Sequence, residues 1–324
     1  MTSSRMVLLM VLGAIFVALG AVTYLYQRDI GQARERVASG SLIVQTACGP
    51  IEYAEAGAGA PVLVVHGAGG GFDQGMDIAA PLVGHGFRVI AVSRFGYLRT
   101  PMPADATPAA QADAHACLLD ALHIQRAAIF GISAGAPSSL QFALRYPQRT
   151  SALVLLVPGT YAPSRNAGSN EMAAPAGTTF LLDTALRWDF LFWAALKLAP
   201  DSMTHILLGT DPALVSSASR EEQTRIATVK DHILPISPRR AGLLNEENVM
   251  STLERYPLER ITVPVLTLSA PDDLYRTYEA AHYTAEQIPG ARFVGYPSGG
   301  HLLVGHQQQA MDEIVRFLKQ RSAT

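Results

Sequence analysis

The chain is poor in charge. Asp, Glu, Lys and Arg make up 16% of its 324 residues, against about 25% in a typical soluble domain. Its 27 acidic and 25 basic side chains nearly cancel, leaving a formal charge of -2. A protein that holds a nucleic-acid backbone needs a basic excess, so no nucleic-acid partner is expected. Cysteine is scarcer still, with Cys48 and Cys117 the whole supply. Two thiols neither build a disulfide scaffold nor furnish a cysteine-rich zinc site, and their positions do not reveal whether they meet. Internal repeats and low-complexity tracts are lacking. What the chain has in plenty is apolar side chains, at 49%. Disorder needs low hydrophobicity and high net charge, and this composition has neither. The length allows one large domain, or a domain with an insertion, around a sizeable core.

Part of the apolar excess is local. Met6 to Tyr26 carries no charge, and only Gly13, Gly20 and Thr23 fall outside the hydrophobic set. As a helix this run spans about 30 Å, the thickness of a bilayer core. It ends in Tyr24 and Tyr26, ring types that favour the membrane interface. The expectation is a single N-terminal transmembrane helix. The alternative is a cleaved signal peptide, with Arg5 as its basic region and Ala18-Leu19-Gly20 as a small-residue cleavage site. Arg28, Arg34 and Arg36 follow the run, so the positive-inside rule does not favour the usual orientation. A leading apolar segment most often directs export, and an extracytoplasmic domain, anchored or secreted after cleavage, is the expectation. Residues 27–39 read as a polar, helix-forming stalk.

From residue 40 the pattern turns to strands. Leu42-Ile43-Val44 and Ile51 to Glu55 flank Gly49-Pro50. Continuous apolar runs follow at 61–65, 88–92, 127–130, 152–157 and 263–268, as strands buried on both faces require, with a further strand at 292–296. Helical patterns at 77–85, 108–122, 137–146, 278–287 and 307–321 lie between them. This alternation predicts an α/β fold with a mostly parallel sheet. Ligands in such sheets sit beyond the carboxyl ends of the strands. Between about 160 and 258 the alternation breaks, and a helical cap is expected there. Within it, 180–198 carries Trp188, Phe190, Phe192 and Trp193. Asp183, Arg187 and Asp189 argue against a second membrane span. The aromatics either pack between cap helices or wall an apolar pocket.

The chemistry-bearing residues stand just after apolar runs. Gly131-Ile132-Ser133-Ala134-Gly135 fits the G-x-S-x-G nucleophile elbow, between a strand and a helix pattern with Pro137 in its first turn. A hydroxyl is a weak nucleophile and needs a base beside it. Of the nine histidines, His301 in Ser298-Gly299-Gly300-His301 follows the 292–296 strand, and His306 is the fallback. A carboxylate must orient that base and stabilise its imidazolium. Ser269-Ala270-Pro271-Asp272-Asp273 offers two; counting from the strand favours Asp273, with Asp272 open. The developing oxyanion needs backbone N–H groups aimed at it. His66-Gly67-Ala68-Gly69-Gly70-Gly71 has little side-chain bulk. Ala68 N–H, or alternatively Gly69 N–H, would pair with Ala134 N–H, and His66 is read as structural. No Gly-Lys-Ser/Thr follows that would make the loop a phosphate cradle.

With these motifs, the chain from about residue 40 onward resembles the α/β-hydrolase superfamily, in its capped esterase/lipase-like or C–C hydrolase-like branch. The residues that carry the likeness are His66-Gly67-Ala68, Gly131 to Gly135, the Asp273 turn, Gly300-His301 and the cap between strands six and seven. Arg94-Phe95-Gly96-Tyr97 resembles the family's Arg-Gly-x-Gly loop, but Ser93 replaces the usual aspartate and Leu98 the usual glycine. The resemblance implies a cofactor-free enzyme. A serine at 133 disfavours the alkylated-carboxylate chemistry of dehalogenases and epoxide hydrolases. The implied organisation is an anchor or signal segment (1–26), a stalk (27–39), a hydrolase core (40–159 and 259–324) and a cap (160–258). The expected function is serine hydrolysis of an ester or related acyl bond in a small to medium apolar substrate. The alternatives are meta-cleavage C–C hydrolysis and a non-catalytic ligand-binding protein on the same scaffold.

Overall fold

A computed structural model of the chain describes residues 2–163 and 186–322. Eight strands form one sheet: β1 (Leu42–Thr46), β2 (Gly49–Ala56), β3 (Ala60–Val65), β4 (Phe87–Val92), β5 (Ala127–Ile132), β6 (Thr150–Leu156), β7 (Val265–Ser269) and β8 (Arg292–Gly295). Their spatial order is β1-β2-β4-β3-β5-β6-β7-β8. The first hairpin and the β2–β4 pair are antiparallel. From β4 to β8 every pairing is parallel. A parallel strand needs a crossover to return, and helices supply it on both faces. The β3, β5 and β6 runs are accordingly almost wholly buried.

The described helices are α1 (Thr2–Ser39), α2 (Phe72–Gly84), α3 (Pro108–Ala121), α4 (Ala136–Arg145), α5 (Asp189–Leu198), α6 (Pro200–Leu208), α7 (Pro212–Ser217), α8 (Arg220–Asp231), α9 (Arg240–Ser251), α10 (Thr277–Gln287) and α11 (Gln307–Ser322). Helices α5 to α9 lie between β6 and β7, where the alternation breaks. The helical pattern read at 180–198 is described only from 186, and Asp183 lies outside the described residues. Helix α2 begins five residues before the pattern at 77–85. The Phe72 N–H donates to Ser93 Oγ at 3.0 Å, which fixes the helix start directly after the glycines.

That serine stands where the family carries an aspartate, and the carboxylate comes from elsewhere. Ser93 Oγ donates to Glu52 Oε2 at 2.7 Å. Glu52 on β2 is fully buried. It also accepts from the Arg99 guanidinium at 2.7 Å and from Ser41 Oγ at 2.6 Å. A buried charge needs such partners to offset its desolvation. The loop after β4 is thus held by a carboxylate on the neighbouring strand.

Two further findings concern the segments before the sheet. Cys48 and Cys117 form a disulfide, tying the β1–β2 turn to α3. Helix α1 is continuous through both the apolar run and the expected stalk. Its first part, residues 4–25, is bare. Its last three turns are docked, with Ile30 and Ala33 buried against Leu186, Phe192, Trp193 and Leu196. The stretch read as a stalk is therefore packed against the cap by a narrow apolar stripe. This helix is long and apolar enough to cross a membrane.

Candidate active site

Strand β5 delivers Ser133 into a sharp turn. Ser133 has φ 47°, a left-handed conformation that costs a non-glycine residue energy. The flanking glycines make the turn possible. A Cβ on Gly131 would collide with Ser139 on α4, and one on Gly135 would strike the Val65 and His66 carbonyls. Across the β5–β6 edge, Gly159 N–H donates to Ser133 O at 2.9 Å, holding the elbow from the other side.

The loop after β8 brings His301 to this serine. His301 Nε2 lies 2.9 Å from Ser133 Oγ. His301 Nδ1 lies 2.8 Å from Asp273 Oδ2. Asp273 also accepts from Tyr275 N–H at 2.8 Å and from the Thr277 hydroxyl. Burial pushes the Asp273 carboxyl up, but the neighbouring His301 charge and these hydrogen bonds outweigh it, and its pKa lies below the ordinary carboxylate value. Asp272 takes a different job. Its two oxygens accept from the Gly299 and Gly300 amides, each at 2.9 Å, bracing the turn that presents His301. His306 is turned away; its Nδ1 pairs with Gln309 and its ring stacks on Tyr296.

The glycine-rich loop after β3 lies against the serine. A Cβ on Gly67 would sit 3.1 Å from Ser133 Cβ. The Arg94 N–H donates to His66 Nε2 at 3.0 Å. His66 Nδ1 therefore carries its proton, and donates to Gly67 O at 2.7 Å. Arg94 reaches the same carbonyl with one nitrogen and Ala134 O with another, both at 3.2 Å. The Gly67 carbonyl shares its peptide unit with Ala68 N–H, so donors on the oxygen orient that amide. Burial, and next the Arg94 charge, push the His66 pKa well below its usual value, keeping the ring neutral.

The segment between β6 and β7 closes the arrangement. Gly209 O accepts from Leu274 N–H at 3.0 Å and from His301 N–H at 3.3 Å, so one carbonyl ties the Asp273 turn to the His301 turn. Arg225 on α8 donates to Leu302 O, and Glu222 accepts from Gly305 N–H. Glu246 on α9 forms an ion pair with the buried Arg94. Below the loop, the fully buried Arg239 holds Asp73 with two nitrogens and also donates to Gly70 O. Arg36 of α1 pairs with the same Asp73. None of these cap residues has a motif that marks it in the sequence.

Ser133, His301 and Ala68 line a cleft that is open in part to solvent. Its other walls are mostly apolar, among them Ile78, Leu208, Val229, Ile233 and Met311. Trp188, Phe190, Phe192 and Trp193 are not among its described lining residues. Phe192 and Trp193 are buried in the contact with α1, while Trp188 and Phe190 are exposed. Phe192 and Trp193 thus pack, against α1 as well as between the helices after β6, whereas Trp188 at 61% exposure neither packs nor lines the cleft. Among the described residues, no cluster of three or more His, Cys, Asp or Glu could hold a metal ion.

This fold and site define an α/β hydrolase. A family model described as the alpha/beta hydrolase fold matches residues 60–305, and the chain belongs to that family. An uncharacterized hydrolase of Bacillus subtilis is 26% identical over 266 residues, 79% of this chain and 89% of that protein. A 2-hydroxy-6-oxo-6-phenylhexa-2,4-dienoate hydrolase of Comamonas testosteroni is 30% identical over 191 residues, 52% of this chain and 67% of that protein. Among solved structures, an alpha/beta hydrolase fold protein from Nakamurella multipartita shares 28% identity with a TM-score of 0.65, covering 88% of this chain and all of that one. The chain is an enzyme of the hydrolase class.

Proposed function

We propose that the protein is a serine hydrolase acting on an ester or related acyl bond of a small to medium apolar substrate. The observation that carries this reading is the run of two short contacts, Ser133 Oγ to His301 Nε2 and His301 Nδ1 to Asp273 Oδ2, on the wall of an apolar cleft. His301 takes the proton of Ser133 as its oxygen attacks the carbonyl carbon. Ala68 and Ala134 N–H groups receive the oxyanion. His301 then protonates the leaving group as the C–O bond breaks. Water, deprotonated by His301, splits the acyl-enzyme and returns the proton to Ser133. Asp273 holds the imidazole in its working tautomer and stabilises its charged form.

A fluorophosphonate probe tests this directly. It should label the protein at Ser133, with labelling abolished in Ser133→Ala, and a non-catalytic ligand-binding protein would stay unlabelled. The second reading is C–C bond hydrolysis, favoured by the relative named a dienoate hydrolase. Such a substrate carries a carboxylate. Among the described lining residues Arg225 is the one cation, and Glu222 already holds it with two oxygens. That arrangement favours the uncharged ester. Chromogenic esters of varying acyl length against vinylogous diketones separate the two.

The N-terminal helix, continuous and bare over residues 4–25, supports a membrane anchor, with secretion after cleavage as the alternative. The Cys48–Cys117 disulfide supports a catalytic domain outside the cytoplasm, where such bonds persist. The proposed division remains anchor, core and cap at the boundaries read above, with residues 27–39 a docked helix.

A further inference from the structure

Soluble domains scatter single apolar side chains over their surfaces, but a contiguous apolar patch marks a contact. Four exposed apolar side chains fall on α5 and the residue before it. Trp188 is 61% exposed, Leu191 51% and Leu198 85%, with Phe190 beside them at 41%. The position of α5 relative to α1 says what these side chains meet. Tyr26 ends the bare apolar run. Its ring makes edge contacts with Phe190 at 5.1 Å and with Trp193 at 5.5 Å between centroids. Trp193 donates its indole N–H to Asp29 at 3.0 Å.

Both ends of α5 meet α1 close to Tyr26. Asp189 pairs with Arg34 at 3.1 Å, and Lys197 with Asp29 at 3.5 Å. From Arg34 to Asp29 the distance along α1 is only about 7.5 Å, while α5 is about 15 Å long. The helix therefore meets α1 over the short stretch from Tyr26 to Arg34. Phe190 on this helix touches Tyr26, where the apolar run of α1 ends. Tryptophan and other amphipathic side chains favour the depth at which such a run ends, with basic residues reaching for the headgroups. Arg28, Arg34 and Lys197 stand beside the patch with their side chains about half exposed.

We propose that α5 is a second membrane contact: Trp188, Phe190, Leu191 and Leu198 rest in the interfacial layer of the same bilayer that holds α1. The cap is then seated on the lipid surface in the manner of an interfacial helix. This rests on reading α1 as a membrane anchor, and is independent of the bond that the enzyme cleaves.

The chain's two tryptophans, both at α5, provide the test. The full chain is reconstituted into phosphatidylethanolamine–phosphatidylglycerol vesicles, with or without lipids brominated near the headgroup end of the acyl chains. Subtracting the emission of Trp188→Phe isolates Trp188. We expect Trp188 to lose at least a third of its emission to brominated lipid. Aqueous acrylamide should quench it at least two-fold less in vesicles than in detergent. Protein that floats with vesicles while Trp188 stays open to acrylamide and untouched by bromine overturns the second contact and leaves the anchor standing. Shielding of Trp188 from both quenchers assigns the patch to another copy of the chain and also overturns it. Protein that fails to float with vesicles overturns the anchor and the contact together.

Discussion

The two neighbouring aspartates offer a sharp test of the candidate site, because they are adjacent in sequence and opposite in role. Asp273→Asn keeps the size of the side chain but only one acceptor oxygen, enough for Tyr275 N–H on one side or Thr277 on the other. It removes the negative charge 2.8 Å from His301 Nδ1. In the transition state His301 becomes an imidazolium. With an effective dielectric of about 20 and charge centres about 3.5 Å apart, the pair is worth about 5 kcal/mol. At 1.36 kcal/mol per factor of ten, this corresponds to roughly a 10³- to 10⁴-fold fall in turnover. Asp272→Asn keeps one acceptor for Gly299 or Gly300 N–H and loses one charge-assisted bond, about 1.5 kcal/mol and roughly ten-fold. The assay is kcat and KM on a short-chain p-nitrophenyl ester, with circular dichroism to verify folding. A larger loss in Asp272→Asn than in Asp273→Asn, in folded proteins, would reverse the assignment. Losses below ten-fold in both would remove a carboxylate from the mechanism altogether.

Four other outcomes follow from the geometry. Gly209 has φ 52°, and a Cβ there would approach the Tyr275 ring to 2.6 Å and His301 Cβ to 3.1 Å; Gly209→Ala should lower kcat about ten-fold or more by displacing His301, and an unchanged kcat would refute the strut. Arg94→Lys keeps a cation for Glu246 but cannot span Gly67 O and Ala134 O; the loss of about one hydrogen bond predicts a roughly ten-fold fall in kcat at constant KM, whereas a KM effect alone would place Arg94 in substrate binding. His66 is held neutral well below its usual pKa, and burial, with Arg94 adding to it, pushes His115 down to about 3. Depressed histidines leave the unfolded chain binding more protons below about pH 6.5, so stability should fall with acidification by about 1.4 kcal/mol per pH unit for each ring; denaturant midpoints that stay level from pH 7 to 5 would contradict this. The Cys48–Cys117 bridge closes a loop of 69 residues, and Cys48→Ser with Cys117→Ser should lower stability by about 2–4 kcal/mol, a shift that dithiothreitol should reproduce in the unaltered chain.

Legibility in the sequence tracked whether a role depends on a local backbone demand. Ser133 could be read because a strained turn must be flanked by glycine, and Gly131 and Gly135 are both pressed by neighbouring atoms. The parallel sheet could be read because strands covered on both faces leave unbroken apolar runs. The choice between Asp272 and Asp273 stayed open because one step along a turn reverses where a side chain points, and only the contacts to Gly299, Gly300 and His301 distinguish them. Gly209 acts on His301 through a carbonyl, and every residue has one, so no side chain announces it. Arg239 was one arginine among many until the fold closed it over Asp73. The docking of residues 27–39 left a trace that polar neighbours hid: Ile30, Ala33 and Val37 recur at the spacing of one helix face. Three side chains at that spacing make a stripe wide enough for one helix contact. Val37 meets the sheet side, while the contact of Ile30 and Ala33 with the helices after β6 is fixed by Asp189 and Trp193, residues more than 150 positions away. Long-range polar partners of this kind are set by the fold as a whole, and a local pattern carries no information about them.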